Sequence, residues 1–198
     1  MWRTLWILLA IAVVSSSCGN EDVTLGDRLF DQGKYDDAIK AYTEYLELQP
    51  THLKSIYNRG RAYEELGKYD QALSDFEKTL EIDQKNVSAL LSIGNHYYRK
   101  ERFDIASYNF EKAVGLNTNL AEARYLWGKA QHQLGKFDDA LFQYNLAISL
   151  NSNYGDAYFH RGVLNISMKN SKKACQDLRT AKTLNVADAD AALSKYCR

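Results

Sequence analysis

GKYDDA at residues 33–38, GKYDQA at 67–72 and GKFDDA at 135–140 are three copies of one phrase. The first two stand 34 residues apart and the third lies two periods further on. The place of the missing copy, 101–106, holds a degraded form, ERFDIA. Self-similarity at a fixed period marks a repeat architecture and must be settled before any local assignment. Three single-residue registers run through five copies without slippage. They are Gly26, Gly60, Gly94, Gly128 and Gly162; Ala38, Ala72, Ala106, Ala140 and Ala174; and Tyr42, Phe76, Phe110, Tyr144 and Leu178. The units are 19–52, 53–86, 87–120, 121–154 and 155–188.

Each unit reads as two helices. Apolar residues recur at helical spacing, as in Ala72, Leu73, Phe76 and Leu80. Gly33, Gly67 and Gly135 stand where the first helix should stop, since glycine tolerates the left-handed conformation that ends a helix. Tyr35, Tyr69, Phe103 and Phe137 then open the second helix, and Asn86, Asn119 and Asn153 lie where caps of the next unit are expected. The glycines inside the first helix cost about 1 kcal/mol each relative to alanine, so packing must offset them. The bare position is expected to admit a neighbouring helix backbone. The small alanine of the second helix serves the same contact, and the aromatic four residues later fills the adjacent space on the same face.

The Gly60, Ala72 and Phe76 registers together resemble the tetratricopeptide repeat family. The resemblance covers 19–188 and implies an all-α fold, an α-solenoid of five tandem helix pairs. The family's proline near the unit end is present only as Pro50; Gln84, Thr118, Ser152 and Val186 take its place elsewhere. The fifth unit departs further, with Ser171 in the aromatic place and Leu178 in the ring register. VADADAALSKYCR follows and reads as one more helix, a cap over 189–198 of the kind a terminal repeat needs. Cys175 takes a place that is mostly apolar in the other units, and Cys197 lies in the cap that packs there. Either the two form a disulfide, closing a loop of about 22 residues that contributes on the order of 3 kcal/mol, or Cys175 is a buried free thiol and Cys197 an exposed one.

Composition narrows the function. The chain has 198 residues with 25 basic and 25 acidic side chains. That balance, with no dense Lys/Arg run, gives no electrostatic reason to expect nucleic acid. The 14 tyrosines argue against disorder. No HExxH, GxSxG, P-loop or GxGxxG occurs, and His52, His96, His132 and His160 are scattered over four units without ligand spacing. The expectation is a binding protein with no catalytic residues, no metal site and no cofactor beyond a covalent lipid.

In the family, positions 2, 5, 9 and 12 of each first helix face a concave groove. The resemblance therefore assigns Lys54, Tyr57, Arg61 and Glu64 from unit two and Leu91, Asn95 and Tyr98 from unit three. Unit four gives Glu122, Tyr125, Lys129 and His132, and unit five gives Phe159, Val163 and Ile166. Aromatic residues interleaved with arginine are typical of binding hot spots, while some of these rings instead pad the core between repeats. Tyr57, Arg61, Ser92 and Asn95 do not reproduce the basic two-carboxylate clamp of the family's co-chaperones. The leading expectation is an interaction scaffold that holds a protein or peptide partner in the groove. The alternative is a glycan-binding accessory protein or envelope enzyme whose tyrosines stack on sugar rings.

The start of the chain sets where this happens. MWRTLWILLAIAVVSSSC has a basic start at Arg3, an apolar run from Leu5 to Val14 and three serines before Cys18. Ten apolar residues fall short of the roughly 20 a membrane-spanning helix needs and fit a secretory signal. The segment resembles a bacterial lipoprotein signal at 1–17, although Ser15 stands where leucine is usual. The resemblance implies lipid on Cys18 and, because residue 19 is glycine rather than aspartate, the outer membrane of the cell envelope. An ordinary cleaved signal and an uncleaved anchor are the other readings of the same stretch, and a cytosolic protein with a misread start is a further one. Labelled palmitate is expected to enter the wild-type protein and not Cys18→Ser; equal labelling of both, or of neither, contradicts lipidation.

Overall fold

Helix follows helix along residues 18–197, the part of the chain that the structure, a computed structural model, describes. The leader, 1–17, lies outside the described residues. The first helices of the five repeats are α1 (Cys18–Asp31), α3 (Leu53–Glu65), α5 (Val87–Arg99), α7 (Ala121–Gln133) and α9 (Gly155–Ser167). The second helices are α2 (Tyr35–Leu48), α4 (Tyr69–Ile82), α6 (Phe103–Leu116), α8 (Phe137–Leu150) and α10 (Ser171–Thr183). A final helix, α11 (Ala189–Tyr196), packs on α10. Each helix packs on the one before and the one after it, and α1 touches α3 as α7 touches α9. This is the all-α solenoid of five helix pairs with a terminal cap that the period predicts.

The turn inside each pair is the same five times. The backbone is left-handed at Gly33 (φ 72°), Gly67 (69°) and Gly135 (73°). The following residue then reaches back to close the last turn, as in Lys68 N–H donating to the Tyr63 carbonyl at 2.9 Å and Lys136 N–H to that of Gln131 at 2.9 Å. Glu101 (φ 57°) and Lys169 (φ 61°) adopt the same conformation without being glycine, with Arg102 and Asn170 making the corresponding bonds. A side chain there costs about 1 kcal/mol. Tertiary packing therefore imposes the turn even where the local residue opposes it. Tyr35, Tyr69, Phe103 and Phe137 each open a second helix, as expected.

The expected asparagine caps hold only in part. Asn86 caps α5, its Oδ1 accepting from Ala89 N–H at 3.0 Å, and His52 does the same for α3 through Ser55. Asn119 and Asn153 are not caps. Leu120 and Tyr154 precede α7 and α9, and the two asparagines instead donate their backbone N–H groups to Asn117 and Asn151 side chains. The turns keep one register, Leu120 and Tyr154 N–H donating to the Asn117 and Asn151 carbonyls as Asn86 N–H does to that of Asp83. Asn119 and Asn153 therefore stand one residue before the capping place, which holds Leu120 and Tyr154.

The interlock at the helix glycines also differs from expectation in what fills the space. The nearest intruder is a side-chain ring rather than a backbone. A methyl group added at Gly94 would lie 2.4 Å from the Phe110 ring, at Gly26 2.6 Å from Tyr42, at Gly60 2.8 Å from Phe76 and at Gly128 2.9 Å from Tyr144. All four rings are completely or almost completely buried, as are the five alanines of the second helices. Burying such a ring contributes about 1.5–3 kcal/mol, which exceeds the ~1 kcal/mol that glycine costs its helix.

A second register, one residue before the ring, is buried and polar: Asp75, Asn109, Gln143 and Asp177. Arg59 grips Asp75 with two parallel bonds (2.8 and 2.7 Å) and reaches Thr43 at 3.2 Å. Three repeats further along, Arg161 grips Asp177 (2.9 and 2.7 Å) and reaches Asn145 at 2.7 Å. Each arginine ties together the two helices of its own repeat and the second helix of the preceding one, so these buried charges are paired. At the end of the array Cys175 and Cys197 are bonded, with Cα atoms 5.6 Å apart, which staples α11 to α10.

Repeats four and five share a core of Tyr125, Tyr144, Ala157 and Leu164. His160 lies against it, its ring 5.6 Å from Tyr125 and 6.4 Å from Tyr144. Burial, helped by the nearby charges of Lys129 and His132, pushes its pKa down to about 4.

Two predictions follow from this packing. Gly94→Ala should lower the unfolding free energy by about 1–3 kcal/mol in denaturant titration, because overpacking outweighs the better helix propensity; Glu101→Gly should raise it by about 1 kcal/mol. The opposite signs would contradict the interlock and the turn respectively. The second concerns pH. A histidine whose folded pKa is about 4 and whose unfolded value is near 6.5 takes up its proton first in the unfolded chain. Its contribution is therefore intact above pH ~6.5 and is lost as pH falls towards ~4. The melting temperature should fall over that window, and His160→Phe should flatten the fall; an equal slope in the variant would contradict the assignment.

Candidate functional site: the face lined by the first helices

First helix α1 touches α3 and α7 touches α9, while Glu64–Arg99 joins α3 to α5 and Tyr98–Lys129 joins α5 to α7, so their side chains form one line. Most of the polar and aromatic residues that the resemblance assigns to it fall into three clusters.

The first cluster joins α1 and α3. Asp27 is its centre. Tyr42 Oη donates to Asp27 Oδ1 at 2.6 Å, Asn58 Nδ2 to the same oxygen at 2.9 Å, and Lys54 Nζ pairs with Oδ2. Burial alone would raise the Asp27 carboxyl, but these donors outweigh it and hold the group below the ordinary carboxylate range. Lys54 is thus already spent on an internal partner. Arg61 is not. Its guanidinium lies over the Phe30 ring, 4.6 Å from the centroid, and no carboxylate pairs with it among the described residues. These side chains border a polar cleft of about 220 Å³ that opens to solvent.

The second cluster is a strut. Glu64 accepts from Arg99 at 2.8 Å, and the same guanidinium covers Tyr69 at 4.3 Å. Tyr57 points elsewhere: its ring packs on Phe76 at 5.5 Å and its hydroxyl lies 3.5 Å from Ser92 Oγ. It pads the core between repeats two and three. Leu91 is buried as well, and Asn95 is partly exposed between the clusters.

The third cluster spans α5, α7 and α9. Lys129 Nζ lies 4.8 Å from the Tyr98 ring centre and 5.5 Å from that of Tyr125. Burial pulls this ammonium below the usual lysine range, with Asp156 opposing. Tyr98 stacks edge-on against Phe103 at 5.1 Å. Tyr125 is buried at 7% exposure, against Tyr154 at 4.9 Å and His160, so it supports the site from beneath and offers no open face. Burial likewise raises its phenol and those of Tyr144 and Tyr154. Phe159 is partly exposed and meets His160 edge-on at 5.4 Å.

Several residues of these clusters were not assigned from sequence. Asp27 and Phe30 hold in unit one the same places as Arg61 and Glu64 in unit two, so extending the register one unit back would have found them. Asn58, Tyr154 and His160 lie off the four groove positions and carried no such signal. Among the described residues, no group of three His, Cys, Asp or Glu side chains could hold a metal ion.

Family profiles agree with this geometry. Profiles of the tetratricopeptide repeat match residues 23–87 and 155–185, one described as TPR repeat matches 128–168, and one described as anaphase-promoting complex, cyclosome, subunit 3 matches 75–145. No curated protein matches. Among solved structures, YrrB, described as a TPR protein with an unusual peptide-binding site, is 26% identical with a TM-score of 0.73, covering 88% of this chain and 89% of its own. MamA 41-end from Desulfovibrio magneticus RS-1 is 20% identical, with a TM-score of 0.78 over 84% of this chain and 94% of its own. Another MamA structure is 22% identical, with a TM-score of 0.74 over 91% and 96%. The repeat period, the glycine-and-ring interlock and these matches lead to one assignment: the chain belongs to the tetratricopeptide repeat family.

Proposed function

We propose that this protein is an envelope scaffold that holds a peptide segment of a protein partner along the face of its first helices. The observation that carries the reading is the third cluster. Lys129, half-buried, lies against the rings of Tyr98 and Tyr125, with the buried Tyr125 backed by the partly buried Tyr154. The partly exposed Phe159 stands in the Tyr125 register one repeat on. Aromatic anchors on a rigid base are the usual hot-spot arrangement. YrrB, of the same fold, is described as having a peptide-binding site, which supports the same use here.

The protein works at a membrane, held by lipid on Cys18. Helix α1 begins at Cys18 itself, so the array stands close to its anchor. Among the described residues no helix is long and apolar enough to cross a membrane, and acyl chains supply the attachment, each buried CH₂ contributing about 0.8 kcal/mol. The glycine after Cys18 favours the outer membrane.

The test is affinity capture from cross-linked, solubilised envelopes with the wild-type protein and with Tyr98→Ala and Phe159→Ala. Each variant's melting temperature should stay within a few degrees of wild type, because both side chains are partly exposed. Recovery of the partner should fall about tenfold or more. Unchanged recovery with intact folding would remove this face from the function.

A further inference from the structure

Arg61 and Lys129 occupy the same place in repeats two and four, and each is held in the same way. Arg61 lies over Phe30 of the preceding repeat, at 4.6 Å, and Lys129 over Tyr98 of the preceding repeat, at 4.8 Å. In each case the ring occupies the place three residues further along its own helix. The unit between them lacks the arrangement: it has Asn95 in that place, facing a repeat whose corresponding residue, Glu64, is already bound to Arg99.

Neither cation has an ion-pair partner among the described residues, although most of their charged neighbours do. Asp27 has Lys54, Glu64 has Arg99, Asp75 has Arg59 and Asp177 has Arg161. The register that joins Asp27 to Lys54 holds Lys129 and Asp156 in repeats four and five, with the charges exchanged. Yet Lys129 turns to the two tyrosine rings and makes no such pair. Asp31, which borders the same cleft as Arg61, makes none with it either. Glu122 and Asp156 are acidic neighbours on this face, but both lie in the first turn of their helices, where the helix dipole accounts for them. Arg61 and Lys129 lie in mid-helix, where no such account applies. Ring faces orient a cation while leaving its hydrogen-bond donors free.

We propose that Arg61 and Lys129 are two carboxylate-binding points, and that the segment held on this face is an acidic peptide with Asp or Glu side chains placed to meet them. This deepens the scaffold reading and rests on it. The partly buried position of Lys129 makes it the stronger point, because a carboxylate there is screened less by solvent than one at the exposed Arg61.

The test uses displayed random dodecapeptides selected against the full-length protein, followed by fluorescence polarisation of the best binder and its Glu→Gln or Asp→Asn counterparts. Wild type should enrich an acidic residue at a fixed position, and its amide counterpart should bind about tenfold more weakly. Lys129→Met should bind both forms alike, Lys129→Arg should retain the preference, and Arg61→Met should weaken binding without erasing the preference at the Lys129 position. Melting curves and helical circular dichroism matching the wild-type protein confirm folding of each variant. Equal binding of acid and amide by wild type, or undiminished preference in Lys129→Met, overturns the carboxylate sites while leaving the peptide groove standing. Failure to enrich any peptide overturns both.

Discussion

The array depends on one contact made five times: a side chain of the second helix lying on a bare backbone of the first. Gly94 under Phe110 is its tightest case, with 2.4 Å where a methyl group would be. The contact sets the distance between the two helices of a repeat, and the register alanine lies at the same contact, the Ala140 carbonyl 3.3 Å from the place of a methyl group on Gly128. Everything on the functional face inherits its spacing from this. Arg61 reaches Phe30 and Lys129 reaches Tyr98 because their helices are held side by side at a constant separation. In the fifth repeat Leu178 replaces the ring and the fit loosens, to 3.0 Å at Gly162. That is also where the chain adds a capping helix and a cysteine pair. A terminal repeat lacks a neighbour on one side, so a staple there replaces packing that interior repeats obtain from the stack.

Polar groups are arranged with the same economy. Arg59–Asp75 and Arg161–Asp177 are buried and doubly bonded, each with a third bond to the preceding repeat. Such pairs add little net stability over an apolar filling, but their geometry is demanding, and they fix how one repeat is rotated on the next. Repeats three and four use Asn109 and Gln143 in the same buried place, with Arg124 donating to Gln143 at 3.1 Å. Among the charges left on the first helices, Glu122 and Asp156 sit in first turns, whereas Arg61 and Lys129 are mid-helix cations held over rings.

Much of the fold is legible in the sequence because the 34-residue period repeats the same solution. The turn glycines, the aromatic residues that open the second helices and the small-against-large register all lie where the pattern places them. What the pattern misses is whatever depends on contacts between unlike units. Glu101 and Lys169 take a left-handed turn because the flanking helices demand it. Tyr57, Leu91 and Tyr125 share one register with Phe159, but the first three are drawn into the core by Phe76, by the second and third helix pairs, and by Tyr154 with His160. Register assigns a residue to a face; the size of its neighbours decides whether it stays exposed there.

The central claim is that ring and glycine act as one unit, and a double-mutant cycle measures it directly. Gly94→Ala, Phe110→Leu and the pair would each be unfolded in denaturant. If the ring lies on the bare backbone, the smaller leucine relieves the clash of the added methyl, and the double variant is more stable than the sum of the single losses by 1 kcal/mol or more, about the size of coupling expected for residues in contact. Losses that add within about 0.3–0.5 kcal/mol, as distant sites do, would show that the two residues are independent and that something else spaces the helices.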